Sequence, residues 1–227
     1  NRLKYSADFH VKSREEVRSA FAIYGARADE FCDNSLYFAD MCEVPEWIDP
    51  KYYNPSGKEL PEFPVKDQPN YFEFKEWLDT RPDLKDRPED VGYLRFWAQK
   101  GFEEKLVNGK IPSDRQSEYL ARLEEEFDVL EFHGFSSYML IVADFIDWCR
   151  KKNIRFGPGR GSVGGALSAY LIGIHQADPI KYGLIFARFH NKSKTSFPDI
   201  DSDCAPSGRA HLQQYLREKY GEERVAH

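Results

Sequence analysis

The chain has no run of about 18 apolar residues of the kind that crosses a bilayer, and its opening, NRLKYSADFH, lacks the apolar core of a signal peptide. Neither membrane insertion nor secretion is supported, so a cytoplasmic location is expected. Cysteine is sparse, and no two of Cys32, Cys42, Cys149 and Cys204 form a C-x-x-C pair. That argues against a zinc site and against a disulfide framework, and the thiols are expected to be free and buried. There is no internal repeat. What is present is a 41% hydrophobic and 15% aromatic share of 227 residues, enough to bury a core in one large or two small domains.

The net charge of −6 argues superficially against a nucleic-acid partner, but charge is segregated along the chain. Residues 150–194 hold nine lysines and arginines against one aspartate, a block of net charge +8. A block of this kind is an electrostatic footprint for an anionic ligand.

Ser13-Arg14-Glu15-Glu16 is a capping box, and it predicts an amphipathic helix that stops at Gly25, followed by a second from about Ala28 to Cys42. Six prolines between Glu43 and Asn70 predict an irregular connection. Helices are expected over 71–79, 89–107 and 114–132, the last with a stripe of Tyr119, Leu120, Leu123, Phe127 and Leu130. SSYMLIVADFIDWC, after Gly134, is apolar nearly all round, as a core helix would be. Ile154–Phe156 reads as a short strand, Val163–Ile172 as a helix, and Phe197–Cys204 as a strand with one acidic face. Ser207 is the expected cap of a last helix, 209–220, closed by Gly221. The expected organisation is a helical segment at 1–42, a proline-rich connection with helices at 43–133, and a core at 134–227.

FGPGRGSVGG, residues 156–165, contains Gly159-x-Gly161-x-x-Gly164, which formally matches a dinucleotide fingerprint. The acidic residue such a site needs about 20 positions on is misplaced, and no lysine follows the glycines as a Walker loop requires. A nest of backbone N–H groups remains, with Arg160 and Ser162 as further donors to a phosphate. On a strand, Asp199 and Asp201 point the same way, about 6.5–7 Å apart. Carboxylates so placed repel unless a cation or a basic group neutralises them, and hard oxygen donors suit Mg²⁺ shared with a substrate phosphate. A glycine cradle facing a metal-bound phosphate is the logic of nucleotidyl transfer by two metal ions.

In order and spacing, GFSSYMLIVADFIDW, FGPGRGSVGGALSAYLIGI, DPIKYGLIFARF, FPDIDSD and REKYGEERVAH resemble the palm region of the C-family DNA polymerases, the bacterial DNA polymerase III alpha family, which also occurs in bacteriophages. A weaker likeness, DFHVKSREEV, resembles the segment joining an amino-terminal phosphoesterase-like domain to the palm. The resemblance implies an α/β (α+β) fold, a nucleotidyltransferase-type palm with a polymerase-beta-like mixed sheet and a largely helical amino-terminal part. It also implies that Asp199 and Asp201 are two of three catalytic metal ligands, with Asp203 in support. Gly159, Arg160, Gly161, Ser162 and Arg188 would then bind the nucleotide phosphates. Two Mg²⁺ ions, deoxynucleoside triphosphates and primed DNA are the implied cofactors and partners, in a bacterial cytoplasm or a phage-infected host. The sequence departs from the pattern at Ala187, where the family often has Glu, and at His190 and Lys192, which replace an apolar residue and a proline. No counterpart of the third aspartate, thumb, fingers or phosphoesterase-like domain is found here, so the chain is expected to be catalytically incomplete alone. Two other readings stand beside this one: a structural part of a split polymerase, and a small stand-alone nucleotidyltransferase drawing on Asp144, Asp147 or Asp178.

Overall fold

The computed structural model describes residues 12–41, 61–194 and 196–225. The chain divides into two compact units, Asn1–Gly57 and Lys58–His227.

In the first unit the capping box is formed. Ser13 Oγ accepts from the Glu16 N–H at 3.3 Å, and the Glu16 carboxylate accepts from the Ser13 N–H at 2.8 Å. Helix α1 (Arg14–Ala20) ends five residues before Gly25, and a 3-10 turn at Ala22–Tyr24 covers the rest. Gly25, at φ +58°, reverses the chain into α2 (Arg27–Met41), while Cys42 lies outside the described residues. Arg14 pairs with Asp33 at 2.5 Å and Arg18 with Asp29 across the hairpin. Exposed pairs of this kind contribute little. The rings of Phe21, Tyr24 and Phe31, in edge contact at 5.6–5.8 Å, do more to hold the two helices.

The second unit is a helical assembly of α3 (Tyr71–Asp79), α4 (Glu89–Val107), α5 (Gln116–His133), α6 (Ser136–Lys151), α7 (Leu167–Leu171) and α8 (Pro206–Tyr220). Its centre is α4, which packs on α3, α6 and α7. Gly101 makes the crossing with α7 possible, because a Cβ there would lie 2.0 Å from the Leu171 carbonyl oxygen. From Ser136 to Cys149, α6 has no exposed residue, as its all-round apolar sequence predicts. Burial pushes the Cys149 thiol up to about 11, which leaves it unreactive at neutral pH. Cys149 and Cys32 are buried free thiols, whereas Cys204 is partly exposed. The stripe of α5 is buried except at Leu120, which is 47% exposed. Of the proline-rich connection, 42–60 lies outside the described residues; Phe63 is buried and stacks on Tyr93 at 5.8 Å.

The expected α/β palm with a mixed sheet is not what the chain forms. Among the described residues the β pairing is one isolated antiparallel bridge, Phe156 with Cys204. Two hydrogen bonds flank it, from Gly157 N–H to Asp203 O at 2.7 Å and from Ala205 N–H to Arg155 O at 2.9 Å. The alternation over 197–204 does place Pro198 inward and Asp199 outward, but alternation reports which way side chains face, not whether a neighbour supplies a ladder. The neighbour here pairs at the single residue Phe156, and two residues on comes Pro158, which has no N–H to donate.

Two helix boundaries also differ from expectation. The stretch expected as one helix over 163–172 is a 3-10 turn (Ser162–Gly165), an extended Ala166 and the short α7. The last helix begins at Pro206 in its first turn, so Ser207 lies inside it and caps nothing. Gly221, at φ +105°, closes it as expected.

Candidate active site

The glycine loop leaves the bridge at Gly157 and runs exposed from Pro158 to Ser162 before burying Val163. Gly159 and Gly161 adopt φ +97° and +80°, conformations open to glycine and strained for other residues. Their missing side chains face different neighbours. A Cβ on Gly161 would lie 3.4 Å from the Asp201 carboxylate, and one on Gly159 would lie 2.4 Å from the Cβ of His175. The loop is therefore bounded by the acidic segment on one side and by His175 on the other. His175 also bonds the Ala166 carbonyl through Nε2 at 2.9 Å, and the Gln176 N–H donates to Pro158 O at 2.9 Å. Both ends of the loop thus rest on one turn.

Arg160 reaches back over the acidic segment. Its Nη2 lies 3.2 Å from Asp201 and its Nε 3.2 Å from Asp203, while Asp199 is exposed outside this clamp. The side chains are open to solvent, 58% for Arg160 and 38% and 65% for the two carboxylates. The guanidinium is the basic group that relieves the repulsion of alternate carboxylates. The sequence paired Asp199 with Asp201 and turned Arg160 toward a phosphate; in the structure Arg160 instead joins Asp201 to Asp203. Arg188 is exposed in the 3-10 turn Phe186–Arg188, which packs against the Ser162–Gly165 turn. The close approach is permitted by Gly165, where a Cβ would lie 2.6 Å from Ile185 O.

Three residues that sequence reasoning missed hold this arrangement. The carboxylate of Glu126, fully buried, accepts from the Leu167 N–H, the Ser168 N–H and Ser168 Oγ, each at 2.8 Å. It thereby caps α7 from another helix, a task no residue next to α7 performs. Arg122 donates to Glu126 at 2.9 Å and to the Gly165 carbonyl at 2.9 Å, tying α5 to the end of the loop. Burial pushes the Glu126 carboxyl above the ordinary carboxylate range against the pull of these donors. The available signal was an acid standing on the apolar line 119, 123, 126, 130, four residues after an arginine. Tyr138 of α6 lies beneath the acidic segment, its hydroxyl raised by burial and by the charges of Asp199 and Asp201. Nothing in its local sequence marks it.

Asp144, Asp147 and Asp178 are engaged elsewhere. Asp144 accepts from Tyr215, Tyr220 and Lys219 at 2.6–2.9 Å and docks α8 on α6. Asp147 pairs with Lys151 at 2.6 Å. Asp178, buried, accepts from Tyr119 Oη at 2.6 Å and caps the Ile180 and Lys181 N–H groups. Among the described residues no three His, Cys, Asp or Glu side chains are assembled as a metal site.

The sequence of this chain matches a known family. The family model described as the bacterial DNA polymerase III alpha NTPase domain matches residues 92–227. The chain is 36% identical to a DNA polymerase III subunit alpha of Helicobacter pylori over 226 residues, 99% of this chain and 17% of that protein. To the same subunit of Aquifex aeolicus it is 47% identical over 134 residues, 59% of this chain and 11% of that protein. To that of Thermus aquaticus it is 35% identical over 247 residues, 96% of this chain and 20% of that protein. The chain belongs to the bacterial DNA polymerase III alpha family, and it spans 11–20% of the length of these relatives.

Proposed function

We propose that this chain contributes part of the nucleotidyl-transfer centre of a DNA-directed DNA polymerase, with Asp199 and Asp201 as catalytic metal ligands and Asp203 in support. The observation that carries the reading is the closeness of an exposed, side-chain-free turn to the acidic segment: a Cβ on Gly161 would lie 3.4 Å from the Asp201 carboxylate. The carboxylates suit Mg²⁺ in donor type, since that ion takes one or two carboxylates and completes its shell with phosphate and water. When bound, the ions activate the primer hydroxyl and stabilise the leaving pyrophosphate.

The chain's own residues do the rest. The exposed N–H groups of the loop and the Ser162 hydroxyl bind and orient the triphosphate. Arg160, held by two exposed pairs that cost little to break, swings from Asp201 and Asp203 to the phosphates and so uncovers a carboxylate as the substrate arrives. Arg188 adds charge on the adjoining turn. Glu126, Arg122 and His175 keep the loop in register without touching substrate.

Primed DNA, deoxynucleoside triphosphates and the remaining regions of the polymerase are the partners of this reading, in the cytoplasm. No single helix among the described residues is long and apolar enough to cross a membrane. Because Asp144 and Asp178 are committed to hydrogen-bond networks and Asp147 pairs with Lys151, the stand-alone nucleotidyltransferase has no support from the geometry, and the third carboxylate is assigned to another part of the polymerase. The test is Mg²⁺-dependent primer extension by the chain alone and by the complete enzyme. The chain alone should not extend a primer. In the complete enzyme Asp199→Asn and Asp201→Asn should each leave under about a tenth of the rate, because losing a metal ligand costs more than about 1.4 kcal/mol of transition-state stabilisation. A larger residue of activity withdraws the assignment.

A further inference from the structure

Behind the glycine loop lies a cavity of about 390 Å³ lined by Lys105, Lys110, Arg150, Tyr170, His175 and Gln176. Three cations from two parts of the chain converge there: Lys105 in the last turn of α4, Lys110 just beyond it, and Arg150 in the last turn of α6. Among the described residues no carboxylate forms an ion pair with any of them, although Glu104 is near enough for its charge to favour the Lys105 ammonium. Burial, with the charges of Lys110 and Arg150, pulls Lys105 below the ordinary lysine value. Its ammonium sits 4.7 Å from the centre of the Tyr170 ring, a contact that replaces part of its lost hydration. Arg150 is fixed at the rim by a 2.7 Å bond to the Gly173 carbonyl, and Gly173 has no Cβ where one would lie 2.9 Å from the guanidinium.

Cations in a last helical turn also offset the helix dipole. That accounts for Lys105 and Arg150 in isolation, but not for Lys110, which lies past the helix end, nor for the convergence of all three on one cavity. We propose that this cavity is a binding site for a phosphate-class polyanion, distinct from the carboxylate side of the loop and independent of the role assigned to Asp199 and Asp201. Two ammonium groups and a guanidinium around a cavity larger than one phosphate match a pyrophosphate or consecutive phosphodiesters better than a carboxylate, which carries a single charge. An occupant would bear on His175, whose Cβ supports Gly159, so binding here would stiffen the loop from behind.

The test follows amide ¹⁵N–¹H shifts of Gly173 and Gln176 in the 227-residue chain, in phosphate-free buffer with no divalent metal. The probes are inorganic pyrophosphate and an oligothymidylate of about twelve nucleotides. Saturable shifts with pyrophosphate assign a free phosphate, and saturable shifts with the oligonucleotide alone assign a nucleic-acid backbone. In either arm Lys110→Gln and Arg150→Gln should each weaken binding about fivefold, as loss of one charge from a partly desolvated cluster does. Lys105→Gln should weaken binding while raising the melting temperature, since it removes a poorly solvated charge. Should that variant misfold, the exposed Lys110 still decides. Absence of saturable shifts with both probes, or affinities unchanged in Lys110→Gln and Arg150→Gln, overturns the proposal.

Discussion

Arg160 and the acidic segment show one side chain holding a site ready and blocking it at once. While Arg160 pairs with Asp201, it competes with any cation for the same oxygens. Arg160→Ala should therefore bind Mn²⁺ or Mg²⁺ more tightly than the parent in the absence of nucleotide, by about threefold to tenfold given two exposed pairs. Calorimetric titration of the metal into both chains measures this, and equal or weaker affinity in the variant would show that Arg160 does not compete. His175 makes a second prediction. Burial is the main cause holding its imidazole below the ordinary histidine value, with Lys105 adding to it and Asp178 opposing. The folded chain then stays neutral at this site where the unfolded chain takes up a proton. The stabilisation is complete above about pH 6.5 and is lost as pH falls through the depressed folded value. The melting temperature of the parent should drop more steeply between about pH 7 and 5 than that of His175→Asn; parallel curves would remove His175 as the cause.

Among the helices, position is decided by contacts that leave no room. Gly101 lies where α4 meets the carbonyl end of α7, and the obstructing atom is backbone oxygen, which cannot rotate away. Gly101→Ala should cost about 3 kcal/mol in urea unfolding, despite the better helix propensity of alanine. Gly92, in the same helix, is the control. Its Cβ would meet only the Phe74 ring at 3.4 Å and a leucine methyl at 3.5 Å, so Gly92→Ala should be close to neutral. A similar cost for both would mean that the close crossing at Gly101 does not set the effect. How well each element could be anticipated follows the same division. The buried face of α6 and the capping box of α1 were legible because each depends on residues adjacent in sequence. The break at Ala166 was not, because what stabilises it is Glu126, forty residues away on another helix.

For the chain taken whole, the charge of residues 150–194 matters more than the net value. The excess of eight positive charges should give loose DNA binding even without the rest of the polymerase, with affinity falling steeply between about 50 and 200 mM salt as counterion release loses its driving force. Fluorescence anisotropy of a labelled duplex measures the slope, and a salt-independent affinity would rule out phosphate contact as its source.

The sequence by itself determined the family and the helices whose apolar faces recur with helical spacing, and it singled out the candidate residues of the glycine loop and the acidic segment. Those properties are written in residue type and short spacing, and the glycines, the alternate aspartates and the basic block needed no partner to be seen. Only the tertiary structure decided that, among the described residues, the acidic segment pairs through a single bridge and not a sheet, because a strand is defined by hydrogen bonds to a neighbour, and Pro158 ends the neighbour paired there. It also decided that Arg160 joins Asp201 to Asp203 and that Glu126 is a buried cap. The same holds for His175, which lies against Gly159 because the turn at 173–176 folds back under the loop. Each is a contact between residues distant in the chain, and its energy depends on distance and burial that no local pattern encodes.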